Sequence, residues 1–141
     1  MKSKIALFAA LSVLAGCSST ALDRSESGGL PALSGEAGRA AILRNMAGGL
    51  IGGTIGSGLT ERERRTALEA EYRALEYTPS GQAVAWNGDA GRSGEVVAAQ
   101  PYRVGSQDCR QYTHKVTIGG QTGQARGTAC RNADGSWTPL T

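Results

Sequence analysis

The chain has 141 residues, a formal net charge of +3 and three cysteines. That length is enough for one small domain with a leader or tether. Lys2 and Lys4 lie in the leader described next, so without it the balance falls to +1, which gives no support to nucleic-acid binding.

Lys2 and Lys4 form a basic start, Ile5 to Val13 is apolar, and small residues follow. This is the pattern of a secretory signal peptide over residues 1–16, too short to span a bilayer. Leu14-Ala15-Gly16-Cys17 closes it and resembles the lipobox of bacterial lipoproteins. The resemblance implies lipidation of Cys17: its thiol is diacylated, the chain is cut before it, and the new N-terminus is acylated. Two or more acyl chains anchor a protein stably where one does not. Ser18, with Ser19 behind it, stands where an Asp favours inner-membrane retention in enteric lipoproteins, so the resemblance implies the outer membrane.

Residues 17–45 read as a lipidated flexible tether. Residues 18–38 in particular are rich in Ser, Gly and Ala, with too little apolar surface to fold. Residues 46–59 carry no charge and form a glycine-zipper segment in which Gly48, Gly52 and Gly56 recur four apart. On a helix these would make a smooth ridge for close helix association. Against this, the run is shorter than the roughly 20 residues of a span. Its six glycines in residues 48–58 each cost a helix about 1 kcal/mol. Three readings stay open: a membrane-associated or self-associating helix, an unstructured linker, or a helix packed on its own domain.

Residues 60–141 read as an α+β domain. Thr60 to Tyr77 is the clearest helix: Thr60 and Glu63 fit a capping box, and Leu68, Tyr72 and Leu75 recur at helical spacing. Its charges read as a solvated face. Thr78-Pro79-Ser80-Gly81 ends it. Strand patterns follow at Ala83–Trp86, Glu95–Ala99, Tyr102–Val104 and Ser136–Leu140, with turns between. The expected fold is one N-terminal helix packed on a small antiparallel β-sheet.

Gly119-Gly120 is a two-residue hairpin signal. It places Ile118 opposite Gln121 and, further out on the same ladder, Cys109 opposite Cys130. Alternation from the turn makes the cysteine pair non-hydrogen-bonded, where side chains approach most closely. An even cysteine pair in an exported chain reads as a disulfide. The register also puts Tyr112, Val116 and Ile118 on one face with Ala125, Gly127 and Ala129, small residues against large ones. Thr113, Thr117, Thr122, Gln124 and Thr128 share the opposite face with the cysteines.

The stretches Glu71–Tyr77, Gly94–Val97, Asp108–Arg110 and Gly127–Arg131 followed by Asp134–Trp137, together with the lipobox and the glycine segment, resemble the 17 kDa surface antigen family. These are outer-membrane lipoproteins of Gram-negative bacteria, and the resemblance implies no catalytic activity.

The residues themselves mark out no reaction. His114 is the only histidine and has no companion at metal-ligand spacing, so no metal is expected. Cys109 and Cys130 lack the spacing of a redox dithiol. Arg110 and Arg131 are weighed as contacts for an envelope anion and as exposed, edge-protecting arginines. The arginine richness behind the leader reads as compositional bias, although guanidinium suits phosphate and carboxylate. Trp86, Trp137, Tyr72 and Tyr112 read as core. The expectation is a non-enzymatic outer-membrane lipoprotein with a structural or interaction role in the cell envelope. It needs no cofactor beyond covalent lipid on Cys17. Its partners are the membrane, and a second copy or another envelope component. The alternative is an envelope-ligand-binding or lysozyme-inhibitor-like module.

Overall fold

The computed structural model describes residues 35–140, so the expected signal peptide, Cys17 and the expected tether up to residue 34 lie outside the described residues. Two helices, α1 (Glu36–Asn45) and α2 (Glu61–Glu76), are joined by two single 3-10 turns, Leu50–Gly52 and Thr54–Gly56. Six strands follow: β1 (Ala83–Asn87), β2 (Ser93–Ala98), β3 (Tyr102–Val104), β4 (Gln107–Ile118), β5 (Gln121–Arg131) and β6 (Trp137–Leu140). They form one sheet of order β1-β2-β4-β5-β6 with antiparallel pairing throughout. β2 and β3 line successive stretches of one edge of β4, and β5 lines the other. The class is α+β.

α2 begins where its capping box stands. The Thr60 side chain accepts from the Glu63 N–H at 3.3 Å, and Glu63 Oε2 accepts from the Thr60 N–H at 2.9 Å. Ala67, Leu68, Ala70, Ala74 and Leu75 form its buried stripe. That stripe lies on the sheet face carrying Trp86, Val96, Tyr112 and Val116 in a single core. Burial of a leucine on this scale contributes about 1.5–3 kcal/mol, which is why the stripe, rather than helix propensity, holds α2 in place.

The β4–β5 hairpin has the register its turn dictates. Gly119 and Gly120 take φ of +58° and +78°, both in the region a type I′ turn requires. Ile118 pairs with Gln121 and Cys109 with Cys130. The cysteines are disulfide-bonded with Cα atoms 4.0 Å apart, the closer spacing of a non-hydrogen-bonded pair. On β4, Tyr112 and Val116 point into the core, while Gln111 and Lys115 are exposed. Two polar residues share the inner face: Arg110 and His114, both buried.

The N-terminal part departs from expectation. Residues 36–45, assigned to the tether, form α1, and with Met46 they bring Ile42 and Met46 to 6% and 0% exposure. Residues 46–59 are not a continuous helix. Ala47, Gly48 and Gly49 have φ of +47°, +86° and +58°, which reverses the chain after α1, and the two 3-10 turns follow. Gly48, Gly52 and Gly56 therefore form no helical ridge among the described residues. The physical reason is that Ile51 and Leu59 are buried in the same core as α2, so the segment folds onto its own domain. No described helix is long and apolar enough to cross a membrane.

Candidate functional site

The interior holds an unusual amount of polar chemistry for so small a domain, and Glu71 is at its centre. This residue is fully buried on α2. Its Oε2 accepts the Leu50 N–H at 3.0 Å, and its Oε1 accepts the Ile51 N–H at 2.9 Å. Oε1 also lies 2.7 Å from His114 Nδ1. On the far side of the imidazole, Trp86 Nε1 donates to His114 Nε2 at 2.8 Å. Indole N–H can only donate, so Nε2 is the acceptor and Nδ1 carries the proton given to Glu71. The chain 50/51–Glu71–His114–Trp86 thus links the glycine segment, α2, β4 and β1 with each bond satisfied.

Tyr112 sits on the same face. Its hydroxyl is buried with no hydrogen-bond partner among the described residues. Burial, and then the nearby Glu71 charge, push its ionisation above the usual phenol range.

Arg110 closes the C-terminal end of α2. Its Nη1 donates to the carbonyls of Ala74, Leu75 and Thr78 at 2.7–3.2 Å, and its Nε donates to Ala99 O at 2.8 Å. Nη2 donates to Ser80 Oγ. A guanidinium satisfies orphan helix-end carbonyls with the cation at the negative end of the helix dipole. Desolvation lowers its pKa.

Arg131 forms a two-point pair with Glu76 at 2.8 and 2.9 Å, and Trp137 Nε1 donates to the same carboxylate at 2.8 Å. Arg131 is the first cause holding Glu76 below the carboxylate range. Neither Arg110 nor Arg131 is an open anion contact or an edge guard: both are committed to internal acceptors.

Glu63 repeats the pattern at the other end of α2. Besides capping Thr60, it accepts from Asp89 N–H at 2.9 Å and from Arg92 Nε at 2.8 and 2.9 Å. The Thr60 N–H foremost, then Arg92 and Asp89, hold its pKa down to about 2 against the burial that opposes them.

Of the residues singled out in the sequence, Cys109 and Cys130 are joined, Trp86, Trp137 and Tyr112 are core, and Tyr72 is half-buried beside it. His114 is a buried hydrogen-bonding residue. Glu71 was hidden because it reads as one charge among many on a solvated face. Its partner, 43 positions away, is the signal that was missing. Among the described residues no group of three His, Cys, Asp or Glu is placed to hold a metal.

A groove of about 600 Å³ opens between α1 and α2. Arg39, Arg44, Arg64 and Arg65 line it, with Leu43, Ile51 and Leu68 on its apolar side.

A family model described as 17 kDa outer membrane surface antigen matches residues 73–138. The 17 kDa surface antigen of Rickettsia bellii (strain RML369-C) is 45% identical over 85 residues, 59% of this chain and 54% of that protein. The protein of the same name from Rickettsia felis is 48% identical over 82 residues, 57% and 52% of the two chains. That from Rickettsia conorii is 46% identical over 82 residues, again 57% and 52%. The chain therefore spans about half the length of these relatives. No solved structure matches it. From the last turn of α2 into β6, a stretch that includes the disulfide, Arg110, His114 and both tryptophans, the chain is similar to the 17 kDa outer membrane surface antigens.

Proposed function

We propose that this chain is a lipid-anchored protein of the outer membrane, with a structural or interaction role in the cell envelope and no catalytic activity of its own. The observation that carries the reading is Leu14-Ala15-Gly16-Cys17 behind a basic and apolar leader. The names of the relatives, surface antigens, agree with an envelope location. Acyl groups on Cys17 would hold the domain at the bilayer, and the tether would let it reach a neighbour. The described domain fits such a role: Glu63, Glu71, Glu76, Arg110 and His114 all serve the fold, which leaves a rigid body for presentation.

Fractionation of cells expressing the wild-type chain and Cys17→Ala tests this. The wild-type protein should be recovered with the outer membrane and the variant in the soluble fraction, and mass spectrometry should find the acyl groups on Cys17. Equal partition of the two proteins would end the proposal. Protease treatment of intact cells then distinguishes display at the surface, where the domain is digested, from a periplasmic position, where it survives.

A further inference from the structure

As a sequence, α2 is close to neutral, with five glutamates and four arginines. The fold divides them unevenly. Glu63, Glu71 and Glu76 turn to internal partners. Arg62, Arg64, Arg65 and Arg73 remain exposed, with exposed Glu61 and half-buried Glu69. α1 adds exposed Arg39 and Arg44 and one acid, Glu36. The outward helical layer thus carries six arginines against three glutamates. On the sheet side, Lys115 pairs with Glu95 at 3.4 Å and Arg103 with Asp108 at 3.5 Å, and Arg126 is exposed.

We propose that this helical layer is a docking face for the phosphate groups of an anionic bilayer, centred on the groove between α1 and α2. Charge complementarity selects the occupant. Arg39, Arg44, Arg64 and Arg65 surround the groove, and guanidinium matches phosphate in a two-point geometry. The acids Glu36, Glu61 and Glu69 also line it, and Arg64 Nε is engaged with Gly56 O at 3.2 Å, so the arginine excess there is modest and the wider layer supplies the rest. The apolar side made by Leu43, Ile51 and Leu68 suits the glycerol and upper acyl region beneath a phosphate. Position agrees as well. The described chain begins at Gly35, directly before α1, so the segment from Cys17 joins the domain at this layer. Fully extended, that segment reaches at most about 60 Å. The inference rests on the anchoring reading only for bringing the domain to a bilayer; the chemistry of the face stands apart from it.

The test uses residues 17–141 with Cys17→Ser, which keep every described residue and cannot be acylated, so a failure of anchoring does not enter. Flotation is compared on vesicles of phosphatidylcholine alone and of phosphatidylcholine mixed with phosphatidylglycerol. Binding should require the anionic lipid. It should collapse as ionic strength rises from about 0.01 M to about 1 M, where the screening length shrinks from about 30 Å to about 3 Å. Each arginine near such a surface adds roughly fivefold to partitioning. Arg39→Gln, Arg44→Gln, Arg64→Gln and Arg65→Gln together should therefore lower it at least about a hundredfold. Glu36→Gln with Glu61→Gln should raise it, a gain that misfolding does not mimic. Arg103→Gln with Arg126→Gln, on the sheet side, should leave it within about twofold. Indifference to lipid charge, absence of the gain, or an equal loss from the sheet-side pair would overturn the proposal.

Discussion

Glu71 Oε1 lies 2.7 Å from His114 Nδ1, with both side chains wholly buried. The same carboxylate holds the amides of Leu50 and Ile51, so one side chain ties the N-terminal segment to the helix and the helix to the sheet. Glu71→Gln keeps the volume but turns one acceptor oxygen into an amide NH2 facing donors. Leaving a buried donor without its charged acceptor costs about 1–3 kcal/mol. Urea unfolding should show that loss, and hydrogen exchange should show protection falling first at Leu50 and Ile51. Unchanged protection at those amides would contradict the clasp.

The glycines of residues 46–59 should separate sharply on substitution. A Cβ on Gly49, at a φ of +58°, would collide with Glu71 Oε2, and one on Gly56 would collide with the Ile51 carbonyl oxygen. Gly52 has nothing within 4 Å. Gly49→Ala and Gly56→Ala are expected to destabilise by about 2 kcal/mol or more. Gly52→Ala should be neutral within about 0.5 kcal/mol. A zipper ridge would make Gly52 as sensitive as Gly56, so thermal unfolding of the three variants decides between the two conformations.

Arg110→Lys tests whether the helix-end role needs the planar fork. One ammonium cannot span Ala74, Leu75, Thr78, Ser80 and Ala99 together. The expected cost is about 2–3 kcal/mol, as for a buried group that loses charge-assisted hydrogen bonds. Calorimetry measuring a full wild-type melting temperature in this variant would refute the assignment.

Stability should fall in acid. Glu63 titrates at about 2 in the folded protein against an ordinary value of 4.5, and Glu76 is shifted the same way. A lowered folded pKa means that the stabilisation is fully present above the unfolded value and is lost as pH falls through the folded one. Unfolding free energy should therefore be flat above about pH 5.5 from these groups and decline between roughly pH 4.5 and pH 2. Glu63→Gln should flatten part of that decline. A slope identical to wild type would exclude Glu63 as a contributor.

Reduction of Cys109–Cys130 is the simplest perturbation. The bridge closes a loop with a sequence separation of 21, and such a loop is worth about 3 kcal/mol of unfolded-state entropy. The Cys109→Ala, Cys130→Ala variant should lose that much in chemical denaturation while keeping the far-ultraviolet spectrum of the sheet. Loss of the sheet spectrum would mean that the bridge specifies the hairpin rather than stabilising it.

What the sequence by itself determined were features set within a few residues of their cause. The Thr60 and Glu63 spacing started α2, because a capping box is a local hydrogen-bond pair. Gly119-Gly120 decided the β4–β5 register, because a two-residue turn leaves one pairing, and the disulfide followed from it. The tertiary structure alone decided which charges of α2 face inward. Glu71 and Glu69 look alike in a string of alternating charges, and only His114, 43 residues on, makes one of them core. It also decided the conformation of residues 46–59. Four-residue glycine spacing is compatible with a helical ridge or a folded turn. The choice fell to two backbone amides that found a buried carboxylate and two apolar side chains that found a core, contacts no local pattern encodes.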